Sequence, residues 1–288
     1  MKYILYNELA NNNGGKKAAL SLNDKIRDVV TEIQKDAVIL AANGISYKDF
    51  FADKTDEDEV YIVGGDGTLN RFVNDMYGEV IASKVYFYPA GSGNDFFNDQ
   101  KDRAKRGMID VADYMKDLPV VFVNGMKKRF LNGVGFGLDG VCCEIGDDIR
   151  AKSDKKINYT PIALKLCLYA YKPKKATVTV DGEKYEFKNV WIAPTMKGRF
   201  YGGGMMIAPK QDRFDEDGKL TLVVVSGRSR LGLLFNFPKL FKGNVDKVKI
   251  VHTFTGKEIT VEYDEPTALQ IDGDTVRNVL SYTVKAKD

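Results

Sequence analysis

The residues Gly64-Gly65-Asp66-Gly67-Thr68-Leu69-Asn70 form a glycine-rich corner with an acid at its centre. Val60 to Val63, mostly β-branched or aromatic, lead into it. Leu69, Phe72, Val73 and Met76 follow at i, i+3, i+4 and i+7, the apolar face of a helix. Strand, tight turn and helix start together bare backbone N–H groups at a helix N-terminus, a geometry that suits phosphate. Asp66 is at odds with phosphate unless it binds a cation, holds a hydroxyl or water, or stays off the phosphate path. A second loop, Pro89-Ala90-Gly91-Ser92-Gly93-Asn94-Asp95-Phe96, ends the strand-like run Val85 to Tyr88. Two such loops on neighbouring strands predict one pocket for a phosphate chain and its nucleoside.

Two acidic turns lie further along. Phe214-Asp215-Glu216-Asp217-Gly218-Lys219-Leu220 opens a strand, and a carboxylate with turn carbonyls can supply a hard cation with oxygen ligands. A solvated turn reads the same way. Leu269-Gln270-Ile271-Asp272-Gly273-Asp274 runs a strand into an Asp-Gly turn with a second acid. It matters to the chemistry only if it faces the nucleotide loop. Asn13-Gly14-Gly15-Lys16-Lys17 resembles a P-loop but fails its template, which requires Gly where Ala10 stands and Ser or Thr where Lys17 stands. Gly135-Phe136-Gly137-Leu138-Asp139-Gly140 matches G-x-G-x-x-G. It follows an apparent hairpin rather than the first strand of a βαβ unit, so its glycines are read as letting a strand approach the other domain.

The elements that must position these loops fall into two groups. Strands at Tyr3–Tyr6, Ala37–Ala41, Val60–Val63 and Val85–Tyr88 alternate with helices, one of them marked by Leu22, Ile26, Val29, Val30 and Ile33. That order predicts a parallel sheet with helices on its faces, and ligands beyond the carboxyl ends of the strands. Loops 7–17, 64–70 and 89–96 all sit there. Near residue 119 the pattern changes to hairpins with Asn124-Gly125 and Asp181-Gly182 turns. Helices are expected at about 140–150 and 160–171, and strands at 190–193, 220–225, 248–253, 259–263, 268–271 and 281–286. The fold class is therefore α/β plus β: a three-layer parallel-sheet nucleotide-binding domain at 1–122 and an antiparallel β-sandwich-like domain at 123–280.

Composition narrows the function. A length of 288 residues with 44% hydrophobic content suits one large or two ordinary domains. A net charge of +3 makes no demand for nucleic acid. The three cysteines make no CxxC pair and His252 is the single histidine, which argues against a zinc site or disulfide framework and fits a reducing cytoplasm. His252 lies in a strand-like run and reads as structural. The N-terminus lacks the apolar core of a signal peptide. No apolar run approaches the roughly 18–20 residues that span a bilayer, so a membrane role would be peripheral. Lys152, Lys155, Lys156, Lys172, Lys174 and Lys175 flank an apolar stretch around Ile162 to Tyr171, which reads either as a core helix with solvated ends or as a surface drawn to anionic lipid.

The two glycine loops carry a family resemblance. Val63-Gly64-Gly65-Asp66-Gly67-Thr68-Leu69-Asn70 resembles the signature of the diacylglycerol kinase and sphingosine kinase superfamily, and Pro89 to Phe96 resembles its second motif, with Ser92 where Thr is usual. The likeness spans nearly the whole chain and is closest to the soluble bacterial diacylglycerol kinase-like branch. A GGDG motif alone also suits NAD kinases and phosphofructokinases; the second motif argues for lipid kinases. The resemblance implies an N-terminal domain binding ATP, a C-terminal β-rich lipid domain, and a last strand, 281–288, that returns to the first domain. It implies that Gly64, Gly65, Asp66, Gly67, Thr68, Leu69, Asn70 and Arg71 hold the nucleotide, with Ser92 adding a hydroxyl and Asn7 and Asn11 flanking it. Glu8 stands where the family has Pro. It implies a structural Mg²⁺ on the Asp217 carboxylate and the carbonyls of Phe214 and Lys219. It implies that Glu216 joins the catalytic network, and that Asp274 stands where the family's general base is Glu. The expected activity is ATP- and Mg²⁺-dependent phosphorylation of diacylglycerol or a related lipid, with Asp66, Glu216 and Asp274 catalytic. The alternatives are an NAD kinase-like phosphotransferase and a catalytically impaired lipid- or nucleotide-binding regulator. The expected partners are a lipid substrate at the inner face of the membrane, approached peripherally from the cytoplasm, and no nucleic acid; a homodimer is left open.

Overall fold

The computed structural model describes residues 1–10, 14–27, 37–152 and 157–287. The chain divides into two compact units, Met1–Lys116 and Asp117–Asp288.

The first unit contains β1 (Lys2–Tyr6), α1 (Gly15–Arg27), β2 (Val38–Ala41), α2 (Tyr47–Phe51), β3 (Glu59–Gly64), α3 (Asp66–Asp75), β4 (Lys84–Pro89), α4 (Asp95–Gln100) and β5 (Ile109–Asp110). The sheet order is β2-β1-β3-β4-β5, with β1 to β4 parallel and β5 antiparallel to β4. Ile4, Tyr6, Tyr61 and Val63 cluster with Ala19 and Leu22 of α1. Leu5 and Ile62 point to the opposite face by alternation and are also fully buried. Burial on both faces is why these strands read as continuous apolar runs. Tyr47 of α2 meets Phe72 of α3 edge to face, with ring centroids 5.3 Å apart. The helix expected to run through Ile33 is described as far as Arg27; Val29, Val30 and Ile33 lie outside the described residues. α1 starts at Gly15, so Lys16 and Lys17 sit exposed in its first turn rather than in the preceding loop.

The second unit contains β6 (Val120–Val123), β7 (Met126–Arg129), β8 (Gly133–Phe136), α5 (Leu138–Arg150), α6 (Tyr159–Lys165), β9 (Lys174–Val180), β10 (Glu183–Ile192), β11 (Thr195–Met196), β12 (Leu220–Ser226), α7 (Arg230–Phe241), β13 (Val251–Gly256), β14 (Glu258–Ile271) and β15 (Asp274–Lys285). A π-helical turn, Leu166–Ala170, continues α6. Every strand pairing is antiparallel. β14 is long enough to pair with β9 over Ile259–Tyr263 and with β8 over Leu269–Ile271. The order β14-β8-β11-β12-β10-β9 therefore closes on itself. β12 shows how both sides of this sheet are filled. Leu220, Leu222 and Val224 join an inner cluster with Phe136 and Tyr263. Val223 and Val225 join an outer one with Trp191, Leu138 of α5 and Leu233 of α7. The three hairpin turns have paired positive φ values, 47° and 75° at Asn124-Gly125, 48° and 90° at Asp181-Gly182, and 47° and 96° at Asp272-Gly273, as tight primed turns require.

Several expectations are corrected. The last strand does not return to the first unit: the Asp272-Gly273 turn folds β15 back along β14, and its far edge pairs with β6. Because β6 pairs there, residues 117–122 also belong to the second unit. The separate strands expected at 259–263 and 268–271 are one strand, β14, with a register shift between Glu262 and Thr267 where Pro266 interrupts the ladder. The glycines of 135–140 serve contacts inside the second unit. A side chain at Gly140 would lie 2.1 Å from the Ala268 carbonyl oxygen, so glycine lets α5 settle on β14. His252 is exposed on β13 beside Phe187, ring centroids 5.0 Å apart. α4 and α7 were not foreseen. α7, Arg-Leu-Gly-Leu-Leu-Phe-Asn-Phe-Pro-Lys-Leu-Phe, is apolar around its circumference and shows no single stripe.

The Gly140 contact yields a test. Gly140→Ala is expected to destabilise the protein by about 1–3 kcal/mol or more, because the obstacle is backbone and cannot rotate away. Denaturant unfolding measures it; wild-type stability would show that α5 need not approach β14 so closely.

Candidate active site

Loops 7–10, 64–70 and 89–96 leave the carboxyl ends of three adjacent parallel strands, β1, β3 and β4, and are tied together. Asn7 donates its backbone N–H to the Val63 carbonyl at 3.0 Å and its side-chain Nδ2 to Thr68 Oγ1 at 2.8 Å. Its Oδ1 accepts from Leu9 N at 3.0 Å. Gly64 gives its carbonyl to Ala90 N at 2.7 Å. A side chain on Gly91 would reach within 2.5 Å of Gly65 Cα. The two glycine loops therefore touch backbone to backbone, and any larger residue at Gly91 would part them. Asn94, left-handed at φ 52°, closes the second loop by accepting from Gly91 N and donating to Gly91 O, each at 2.9 Å.

Asp66 has a definite place in this arrangement. Its carboxylate accepts the N–H of Asp95 at 3.0 Å and of Phe96 at 2.8 Å. It binds the first turn of α4, which its own N-cap residue leaves without a side-chain cap. α3 likewise begins at Asp66 with no side-chain cap, leaving that helix end open to a phosphate. Gly67 and Ser92 are exposed at the loop tips, while Thr68, Leu69 and Asn70 are buried. Arg71 extends the other way: its guanidinium donates to the Ala42 carbonyl at 3.0 Å and lies over the Tyr47 ring. Asn11 lies outside the described residues.

The second unit holds the two acidic turns through a buried network that the motifs did not reveal. Asp272 accepts the N–H groups of Leu131, Asn132 and Gly133 at 2.6, 2.8 and 2.9 Å. Buried Arg213 donates to the Leu131 carbonyl and, at 2.6 Å, to Asn132 Oδ1. Segment 131–133 thus fastens the turn carrying Asp274 to the segment carrying Asp215–Lys219. Half-buried Lys197 lies beside Arg213, and its burial pulls its pKa down. Asp274 itself is largely exposed and pairs with Lys128 Nζ at 2.6 Å. Glu216 is exposed.

The expected Mg²⁺ ligands make other contacts in this structure. The Asp217 carboxylate pairs with Lys219 Nζ at 2.7 Å and approaches Lys257 Nζ at 3.9 Å, and the Lys219 contact lowers its pKa. The Lys219 carbonyl accepts from Gln211 Nε2 at 3.0 Å. Phe214 is exposed, its N–H donated to Asp212. The turn is shaped instead by Asp215, whose Oδ2 accepts Lys219 N at 3.0 Å. Lys219 and, more distantly, Lys257 balance the charge of the one expected carboxylate ligand.

A further acid is enclosed. Asp139, in the first turn of α5, is half-buried as a residue, but both its carboxylate oxygens are buried and neither has a hydrogen-bond partner of good geometry. Burial pushes its pKa from 3.8 up to about 7. The Gln270 amide lies alongside, and the same amide's Oε1 accepts Gly273 N at 2.7 Å in the turn that presents Asp274. The G-x-G-x-x-G pattern contained Asp139 but gave no sign that it is buried.

Comparison with known proteins agrees with both units. The diacylglycerol kinase catalytic domain matches residues 7–107, and the YegS C-terminal NAD kinase beta sandwich-like domain matches residues 132–284. A diacylglycerol kinase of Mycobacterium tuberculosis is 27% identical over 212 residues, 71% of this chain and 67% of that protein. A crystal structure of a diacylglycerol kinase from Bacillus anthracis superposes with a TM-score of 0.65 at 20% identity, covering 99% of this chain and 93% of the other; that likeness concerns the fold. Fold and loops define a kinase of the class that joins a parallel-sheet catalytic domain to an antiparallel β domain. The chain belongs to the diacylglycerol kinase-like family of lipid kinases.

Two substitutions probe the carboxylates. Asp66→Asn places an amide against one of two N–H donors and is expected to cost about 1.5–3 kcal/mol, with weaker nucleotide binding as the second loop loosens. Unfolding and calorimetric titration with ATP measure both, and unchanged values would remove Asp66 from this role. For Asp139 the native pKa exceeds the unfolded one, so its contribution is complete below pH 4 and is lost as pH rises to about 7. The loss is on the order of 4 kcal/mol. Asp139→Asn should flatten the stability profile across that window, read from denaturant midpoints; a persisting slope would assign it to other groups.

Proposed function

We propose that this lipid kinase transfers the γ-phosphoryl group of ATP to a hydroxyl of diacylglycerol or a closely related lipid. The observation that carries the reading is the contact of two glycine loops at the ends of β3 and β4, locked by Asp66 on α4. Phosphoryl transfer depends on positioning and charge neutralisation rather than on covalent help from the protein. In this reading the open N-terminus of α3 and the backbone of Gly65 to Thr68 hold the phosphates, with the Ser92 hydroxyl beside them. Asn7 fixes the first loop through Thr68. Asp66 keeps the loops in register. Magnesium accompanying the nucleotide supplies charge neutralisation when bound; one or two carboxylates and the phosphates themselves suffice to hold it.

Asp274 is assigned the proton of the attacking lipid hydroxyl. The carboxylate is exposed, paired with Lys128, and borne on a turn anchored by Asp272 and Gln270. Compared with glutamate it is one methylene shorter, and the Lys128 ion pair holds it near β7. Glu216, exposed on the neighbouring acidic turn, is a second acid in the same unit.

The assignment is tested with labelled ATP against a panel of dispersed lipids and, separately, NAD. Phosphorylation of diacylglycerol is the expected result; phosphorylation of NAD alone would favour a soluble-substrate kinase, and ATP binding without any product a regulator. Asp274→Asn should lower turnover by about 10²–10⁴-fold with little change in KM for ATP, whereas Asp274→Glu should retain activity. Equal activity of the two variants would remove Asp274 as the base.

A further inference from the structure

One end of the closed sheet carries both acidic turns. β14 ends at Ile271, β8 starts at Gly133, β11 ends at Met196 and β12 starts at Leu220. The antiparallel pairs Ile271–Val134, Met196–Gly133 and Met196–Thr221 bring those four ends together. We propose that Lys197, at this end, binds the terminal phosphate that the reaction moves, a group shared by ATP and the phosphorylated lipid. The proposal rests on the lipid-kinase reading for its ligand but on separate observations for its place.

The first observation is an ammonium group without a counterpart. Lys197 is half-buried, and among the described residues its Nζ has no hydrogen-bond or ion-pair partner. A charge in that position is costly. Burial lowers its pKa first, and the guanidinium of Arg213 lowers it further. Asp215, Asp117 and Asp212 act in the opposite sense without outweighing those two. Each of these acids has another partner. Asp215 accepts Lys219 N at 3.0 Å, Asp212 accepts Phe214 N at 2.9 Å, and Asp117 pairs with Lys287 Nζ at 3.3 Å. Two cations gathered in a half-buried place, their nearest acids engaged elsewhere, suit an incoming phosphate.

The second observation is place. Lys197 donates its backbone N–H to the Asn132 carbonyl at 2.8 Å, and Gly198 donates to the same oxygen at 3.0 Å. Asn132 Oδ1 accepts from Arg213 at 2.6 Å, and Asn132 N donates at 2.8 Å to Asp272, in the turn that presents Asp274. Lys197 is thus fixed near that turn with only β8 between them. Two strand spacings put the two backbones on the order of 10 Å apart. Lysine's flexible stem closes part of that gap, and a phosphate fits in the rest. In the transfer step the lipid oxygen bonds to phosphorus, the bond from phosphorus to the bridging oxygen of ADP breaks, and the hydroxyl proton passes to Asp274. Lys197 exchanges no proton; its compact charge follows the non-bridging oxygens as the group moves.

Thermal unfolding of the full chain with short-chain phosphatidate, ATP or ADP tests the proposal. Each ligand is expected to raise the wild-type melting temperature by mass action. Lys197→Met keeps the stem and removes the charge. Without ligand it should melt at or above the wild-type temperature, because a half-buried unpaired charge is gone. It should nonetheless lose most of the shift given by phosphatidate, or by ATP relative to ADP, and turn over about tenfold more slowly or worse. Lys197→Arg should keep the ligand shift. Loss with phosphatidate alone assigns the anion to the product lipid, and loss with ATP alone assigns it to the γ-phosphate; either supports the site. Equal ligand shifts in wild type and Lys197→Met would overturn it. So would a Lys197→Met protein that melts below the wild type without ligand, which would make the lysine structural. Failure of the kinase reading looks different: the ligand shift would still depend on Lys197 while no lipid is phosphorylated.

Discussion

The candidate site depends on backbone N–H groups that have left the regular hydrogen-bond ladders and must find acceptors. Carboxylates supply them. Asp66 takes two N–H groups at the head of α4. Asp272 takes three from the strand entry at Leu131–Gly133. Without Asp66 the head of α4 loses two hydrogen bonds to the first glycine loop, and the Gly65–Gly91 contact loses part of its support. Without the Asp272 carboxylate the turn bearing Asp274 loses three hydrogen bonds to segment 131–133. In each unit a structural acid thus stands within two residues of a group assigned to the chemistry, or is itself the puzzling acid of a motif.

That economy explains which parts of the site were legible. Glycine spacing was informative because φ and close approach are backbone properties that few residues satisfy. The loops at Gly64–Asn70 and Gly91–Asn94, and the turns at Asn124, Asp181 and Asp272, fall where their residue types place them. The parallel sheet followed from strand and helix order. The partners of carboxylates were not legible, because Asp in a turn looks the same whether it accepts backbone N–H groups, pairs with lysine or binds a cation. Asp66 was read as a catalytic acid in the nucleotide loop, and its carboxylate accepts two N–H groups at the head of α4. Asp217 was read as a metal ligand and pairs with Lys219, while Asp215, given no role, shapes the turn. Arg213, Asn132 and Asp139 were invisible for the same reason: their importance lies in burial, which depends on distant segments.

The acidic turn also shows how local charge replaces a ligand set. A carboxylate is suited to a divalent ion when it has unused lone pairs and no competing cation. Lys219 and Lys257 bring competing positive charge to Asp217. The contact with Lys128 at Asp274 is chemically similar and has a different consequence. There the acid is asked to receive a proton, not to hold a dication, and a flexible ammonium can give way to a neutral hydroxyl. The same type of ion pair thus counts against one inherited role and leaves the other open to experiment.

Net charge conceals a comparable division. A balance of +3 describes a nearly neutral chain, but field and adhesion depend on where charges lie, not on their sum. Acids accumulate where backbone N–H groups or lysines need them, at Asp66, Asp181, Asp215 and Asp272. Their absence from 157–175 and 226–245 leaves lysines and arginines there without acidic neighbours in sequence. The apolar circumference of α7 has the same origin. One side faces the buried cluster and the other carries Leu231 and Phe235 into the surroundings. A helix that served the core alone would show one apolar stripe.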